Sequence, residues 1–252
     1  MDEVSEAARS GVPDVRDWTV SWLALGGEVR RPLGEVAGVG FEAVVPVREF
    51  PSYRGQRHFP GWYYAATLDA HVGFESWLER DHAILLDFDP QVAGFASQPF
   101  WLTWRDARTR RERSHAPDFF ARLRGGTGLV VDCRPAGRMD ERSVESFTAM
   151  RHACDAVGWA YRLAGELDPV RVANLRWLAG YRHRRYGEPS GVVAAVAAAF
   201  AVPGPLLGQA ASAGDPIEVL PRVFHLLWQG RLTADLSRPL NDRTLVSTGG
   251  HW

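Results

Sequence analysis

The apolar positions along the chain change period several times. From Trp18 to Tyr64 no helical period is sustained. Short apolar runs such as Phe41–Val47 sit among Gly and Pro, which predicts short strands and loops. A helical period begins at Asp69–Ala70 and runs to Asp87. Phe74, Trp77, Leu78, Ile84, Leu85 and Phe88 fall on one face, Asp69 stands at the N-cap position and Pro90 supplies the stop. Glu75, Glu79 and His82 lie together on the flank of that face.

Strand patterns follow. Gln91–Trp104, interrupted by Pro99, suits an irregular or edge strand. Arg105–Arg113 is predicted to be a hairpin loop. Ala116–Leu123 and Gly128–Arg134 are predicted strands joined through Gly125-Gly126, and Leu129–Val131 suits a buried position. A helix with Asp140-Glu141 in its first turn carries Val144, Phe147, Ala153, Cys154 and Val157 and ends at Gly158. Trp159–Leu163 reads as a strand. Pro169–Tyr186 reads as a helix whose last turn holds Arg182, Arg184 and Arg185.

A boundary is expected at Gly187–Ser190. Beyond it come helical stretches at Val192–Phe200, Pro205–Ala211 and Pro216–Trp228, then Arg231–Leu236, a turn near Pro239–Asp242, and Thr244–Ser247. Three helices followed by a two-stranded ribbon is the winged-helix order. The chain therefore divides into an N-terminal extension with short strands (1–68, its first 14 residues frayed), an α/β core (69–187) and a small winged-helix-like C-terminal domain (190–252).

Composition narrows the class. Of 252 residues, 46% are apolar, and 10 Trp, 12 Phe and 6 Tyr can fill a sizeable core, which excludes disorder as the dominant state. Two Cys make neither a disulfide framework nor a zinc ribbon. The acidic N-terminus lacks the apolar segment of a secretory signal. The longest apolar stretch, Val192–Val202, is too short to span a bilayer. A soluble, cytoplasmic protein with no membrane partner is expected.

All 29 cationic residues are Arg; Lys is absent. With 25 Gly and 16 Pro, this usage fits codon bias in a GC-rich genome. Residues 71–188 carry 18 Arg against 16 acids, and they include the run Arg105, Arg108, Arg110, Arg111 and Arg113. It reads either as a solvated hairpin tip or as a DNA-binding loop that contacts backbone phosphate. Residues 189–252 carry four charges of each sign, which favours protein over DNA as that domain's partner.

The candidate chemistry lies between residues 69 and 163. Glu79 is on the first helix, Asp118 follows Pro117 at the start of a strand, and Asp132 and Arg134 alternate on the next strand, on one face. Carboxylates at adjacent strand ends can hold a hard cation such as Mg2+, which activates water and neutralises charge on a scissile phosphate. A fixed cation beside it, Arg134, can stabilise the developing oxyanion.

Pro117-Asp118 followed by Asp132-Cys133-Arg134 has the spacing of the PD-(D/E)xK nucleases. The wider text FESWLERDHAILLDFDPQV, SQPFWL, APDFF and VVDCRPAGR resembles the N-terminal nuclease domain of the TnsA family, over about residues 70–186. These are endonuclease subunits of heteromeric transposases. The resemblance implies a restriction-endonuclease-like mixed sheet flanked by helices. It also implies a Mg2+-dependent endonuclease that cuts the 5′ strand at transposon ends, with a DDE-type transposase subunit and an AAA+ regulatory ATPase as partners. Carried over by position, the catalytic residues are Glu79, Asp118, Asp132 and Arg134, with Asp118, Asp132 and Glu79 on the metal. Glu79 is preferred to Glu75 because it ends the segment Ser76-Trp77-Leu78-Glu79. The family's strand Lys is Arg134 here, which can position water or stabilise charge but cannot act as a base.

Structural readings stand beside these. Glu79 could be a solvated helix carboxylate, and Asp118 and Asp132 could form ion pairs with Arg122 or Arg134. His82 and His115 read as ordinary polar residues, Cys133 as facing away from Asp132, and Trp77, Phe88 and Trp104 as core. At the level of function, the alternatives are a catalytically decayed nuclease fold that bridges DNA, transposase and ATPase, and an unrelated restriction or repair nuclease.

Overall fold

The computed structural model describes residues 15–50, 59–106, 109–137 and 139–249. The expected frayed segment 1–14 and Arg108 lie outside the described residues. The chain is mixed α/β. In chain order, β1 (Thr19–Ala24) and β2 (Gly27–Pro32) form a hairpin, and β3 (Gly61–Ala65) pairs with β4 (Ala70–Phe74). Then come α1 (Trp77–Phe88), β5 (Val92–Ser97), β6 (Trp101–Arg105), β7 (Glu112–His115), β8 (Phe119–Leu123), β9 (Gly128–Cys133), α2 (Glu141–Val157) and β10 (Ala160–Ala164). The last part holds α3 (Pro169–Ala179), α4 (Ser190–Ala199), β11 (Gly204–Pro205), α5 (Leu206–Ala213), α6 (Pro216–Trp228), β12 (Leu232–Ala234) and β13 (Leu245–Thr248).

These elements fall into two compact units. The first takes the described residues up to Trp62, Val72–Glu79 and Gln91–Glu166; the second takes Tyr63–His71, Arg80–Pro90 and Leu167 onward. The first unit contains two four-stranded sheets, β2-β1-β6-β7 and β10-β9-β8-β5. β5, β8 and β9 are antiparallel neighbours, and β9 pairs with β10 in parallel across the α2 crossover. Trp18, Val20, Phe41, Phe100, Leu102, Phe120, Val130, Met150 and Trp159 pack into one core, whose side chains come from both sheets and α2.

The ends of α2 follow from local chemistry. Asp140 accepts from the Ser143 N–H at 2.7 Å, satisfying an otherwise unpaired donor of the first turn. Gly158 takes φ +74° and closes the helix in the left-handed conformation that a side chain would oppose. β8, β9 and β10 lie within about three residues of their expected bounds.

Four expectations need correction. Ala70–Phe74 is a strand, with Val72 and Phe74 buried at a period of two, and Asp69 is a turn residue at φ +50° rather than a helix cap. The helix begins at Trp77, which is 48% exposed and not core. Gln91–Trp104 is not one strand. Gln98, at φ +44°, and Pro99 break it into β5 and β6, which join different sheets. The helix expected over 169–186 stops at Ala179 with Gly180 at its C-cap. Arg182 instead lies over the Tyr63 and Tyr64 rings and donates to the Tyr64 carbonyl. A 3-10 turn at Arg184–Gly187 holds the other two cations.

In the second unit, α4, α5 and α6 are accompanied by the three-stranded antiparallel sheet β11-β13-β12. Asp215 caps α6, and Asn174 donates to the Leu236 and Arg238 carbonyls while accepting from the Leu240 N–H. No helix among the described residues is long and apolar enough to cross a membrane.

Candidate active site

Asp118 lies within electrostatic reach of Glu79 near the start of α1 and of Asp132 near the end of β9. Asp118 precedes β8. Extending the β8–β9 register one step from Phe119 opposite Val131 sets Asp118 opposite Asp132. The Cys133 N–H donates to Asp118 Oδ2 at 2.6 Å, which ties the carboxylate to the neighbouring strand. Burial, together with the charges of Glu79 and Asp132, pushes the Asp118 carboxyl well above the usual carboxylate range. The Arg48 guanidinium, which pairs with Glu75 at 2.7 Å, opposes that rise only in part.

Glu79 is placed by the helix start. Ser76 Oγ donates to Glu79 Oε1 at 2.8 Å and accepts from the Glu79 N–H at 3.2 Å, and the Glu75 N–H donates to Glu79 Oε2 at 2.6 Å. This is a variant of the capping box, with the Glu reaching back to the residue before the cap. Glu79 is buried, so the solvated-carboxylate reading does not hold. Its pKa is raised by desolvation, and the two hydrogen bonds restrain the rise.

Asp132 is 1% exposed, and both its oxygens are engaged. Oδ1 lies 2.8 Å from His115 Nε2 on β7, and Oδ2 accepts from the Tyr161 hydroxyl on β10 at 2.9 Å. The bond from Asp132 therefore joins the two sheets. Burial and the Asp132 charge raise the Tyr161 pKa. Neither ion pair considered for the two Asp residues forms with Arg122, which pairs with Glu42 at 3.3 Å and donates to the Val39 and Gly126 carbonyls. Arg134, one residue past β9, donates to Ser143 Oγ at 3.0 Å, and the Asp140 carboxyl is held low by its hydrogen bonds with Ser143 and, to a lesser extent, by the Arg134 charge. The Cys133 thiol is pushed up by burial and by the charges of Asp118, Glu79 and Asp132, in that order, so it is no ready nucleophile.

No protein-family model matches the chain, and no curated protein matches its sequence.

The three carboxylates are the oxygen donors a hard divalent cation takes. Burial first, and then the charges of Glu79 and Asp132, raise the Asp118 pKa, and the donors match Mg2+ in chemical type only. Among the described residues no group of three or more His, Cys, Asp or Glu side chains is arranged to hold a metal ion.

The Arg run is distributed around a hairpin. Arg105 ends β6 and Arg113 lies on β7, paired with Glu145 at 3.7 Å. Arg110 and Arg111 are exposed in the turn, which closes on Asp106. Hydrogen bonds from Thr109 pull the Asp106 carboxyl down to about 2.

The sequence reading assigned no role to four neighbours of the site: Arg48, Gln98, His115 and Tyr161. His115 stands three residues before Asp118, and Gln98 is a lone amide in an apolar run. Those are the only local signals. Arg48 and Tyr161 come from distant segments and carry none.

Proposed function

We propose that the chain is a metal-dependent DNA endonuclease of the PD-(D/E)xK type, resembling the TnsA subunits that cut the 5′ strand at transposon ends. The observation that carries this reading is that Asp118, one residue before β8, lies within electrostatic reach of both Asp132 on β9 and Glu79. The β9–α2–β10 crossover beside antiparallel β8 supports a restriction-endonuclease-like core. The order helix, strand, two helices, two strands over residues 190–248 supports a winged-helix-like second domain. A DDE-type transposase and an AAA+ ATPase are the expected partners.

A bound Mg2+ supplies charge neutralisation and a more acidic water. The described side chains are not grouped to hold a metal as they stand, so Asp118, Asp132 and Glu79 would have to draw together to bind it. In hydrolysis the water oxygen bonds to phosphorus as the bond from phosphorus to the leaving sugar oxygen breaks. One water proton leaves to solvent, and the sugar oxygen takes a proton from solvent. Arg134 supplies a permanent positive charge next to the strand end.

A decayed assembly subunit is the second reading. It is favoured by the engagement of both Asp132 oxygens with His115 and Tyr161 and by the bond from Arg134 to Ser143. Cleavage of end-containing DNA with the transposase partner and Mg2+, comparing wild type with Asp118→Ala, separates the two. A nuclease cuts and loses cutting in the variant; a decayed subunit cuts in neither.

A further inference from the structure

Gln98 is the most poorly satisfied residue near the site. It is 1% exposed, yet neither Oε1 nor Nε2 of its carboxamide has a hydrogen-bond partner among the described residues. Its backbone is at φ +44°, a conformation that a residue with a Cβ adopts at a cost. Both backbone groups are used: its N–H donates to the Asp118 carbonyl at 3.0 Å, and its carbonyl accepts from the Val47 N–H at 2.8 Å. Two unfavourable features thus meet on the residue that is backbone-bonded to Asp118.

A buried carboxamide with a free donor and a free acceptor is completed by a small molecule that offers both, and water does. Hydrolysis of a phosphodiester needs its water held in line with the leaving oxygen, and a Gln amide is a known device for that task. Other groups are poorly suited here. The chain has no Lys, the Arg134 guanidinium donates to Ser143, and His115 is hydrogen-bonded to Asp132.

We propose that Gln98 is a water-positioning residue: its carboxamide binds an ordered water beside Asp118 and orients it for attack on the phosphodiester. The inference rests on the nuclease reading for the identity of the reaction, but not for the presence of the water.

The test uses the full chain and two measurements. In 15N-labelled protein, the Gln98 carboxamide protons should show a nuclear Overhauser contact with a long-lived water. In Mg2+ with the transposase partner and plasmid carrying the transposon ends, Gln98→Met should keep KM and lower kcat at least thirtyfold. Its melting temperature should stay close to that of wild type, because Met fills a similar volume and the amide and its bound water are lost together. Gln98→Glu, which keeps an acceptor, should recover part of the loss. A purely structural Gln98 would instead make melting temperature and kcat fall together, with no recovery in Gln98→Glu, and that result overturns the proposal. So does an unchanged kcat in Gln98→Met, and so does the absence of the water contact, whatever the cleavage result. If the contact is present but wild type cuts nothing, the nuclease reading fails while the bound water at Gln98 stands.

Discussion

Asp118, one residue before β8, and Asp132 on β9 are neighbours in charge, and their surroundings are opposite. Asp132 is matched: an imidazole and a phenol hydroxyl serve its two oxygens, and the arrangement links the sheets. Asp118 is crowded: it has one backbone donor and two nearby carboxylates, and its proton is held more tightly than usual. A structural carboxylate is surrounded by donors that favour its charge. A carboxylate kept among like charges is poised for something positive to arrive. On the proposed nuclease reading, the difference gives Asp132 a large share of the fold and Asp118 the larger share of the chemistry.

The comparison is broken most directly by cleavage. Asp118→Ala and Asp132→Ala should each reduce 5′-strand cleavage by about a thousandfold or more, roughly 4 kcal/mol of transition-state stabilisation. Either variant cutting at the wild-type rate with Mg2+ present removes that residue from the metal site.

Stability should separate the two residues. Asp132→Ala leaves His115 and Tyr161 without their partner in a buried place and should cost about 3 kcal/mol in denaturant unfolding. Asp118→Ala should cost far less, because it also removes like-charge repulsion. Equal losses would erase the distinction.

Glu79 stands between the two cases, since it both caps a helix and adds charge to the cluster. Glu79→Ala should lose most cleavage and about 1 kcal/mol of stability with the cap. Glu75→Ala should affect cleavage much less, and the reverse ranking would move the helix carboxylate to Glu75. The smallest expected effect is Arg134→Lys. A charge-based role tolerates it within about tenfold, or roughly 1.4 kcal/mol, whereas Arg134→Ala should be far worse. Equal cutting by wild type and Arg134→Ala would leave the guanidinium a structural role only, of which its bond to Ser143 is one part.

The segment that positions the site was the most legible in sequence. β8, β9, α2 and β10 are marked by short-range signals: the Gly125-Gly126 turn, the run Leu129–Val131, the Asp140 cap and the Gly158 stop. The stretch before it misleads, because the alternation Val72, Phe74 merges into a helical period and hides a strand. Ser76 and Glu79 do mark the true helix start. The same Ser-x-x-Glu text carries both a capping box and a candidate catalytic carboxylate, and local sequence cannot divide the two roles. The end of α3 is hidden because Tyr181 continues the apolar period and Arg182, Arg184 and Arg185 are cations that suit a helix C-terminus, while Gly180 and the contact of Arg182 with Tyr63 and Tyr64 decide otherwise. Of the site, the carboxylates were legible as a spacing. Their opposite environments were not, since His115 and Tyr161 reach Asp132 through tertiary structure across 17 and 29 residues of sequence.

The central claim is that Asp118 is held in a state unfavourable to the fold in readiness for a cation. Denaturant unfolding of wild type and Asp118→Asn at neutral pH without divalent ions, then with Mg2+, tests it most directly. Asn keeps an oxygen to accept the Cys133 N–H and removes the charge. Without metal the variant should be as stable as wild type or more so. Adding Mg2+ should stabilise wild type and leave the variant unchanged. A variant clearly less stable than wild type in the absence of metal, or one stabilised by Mg2+ as much as wild type, would contradict the account.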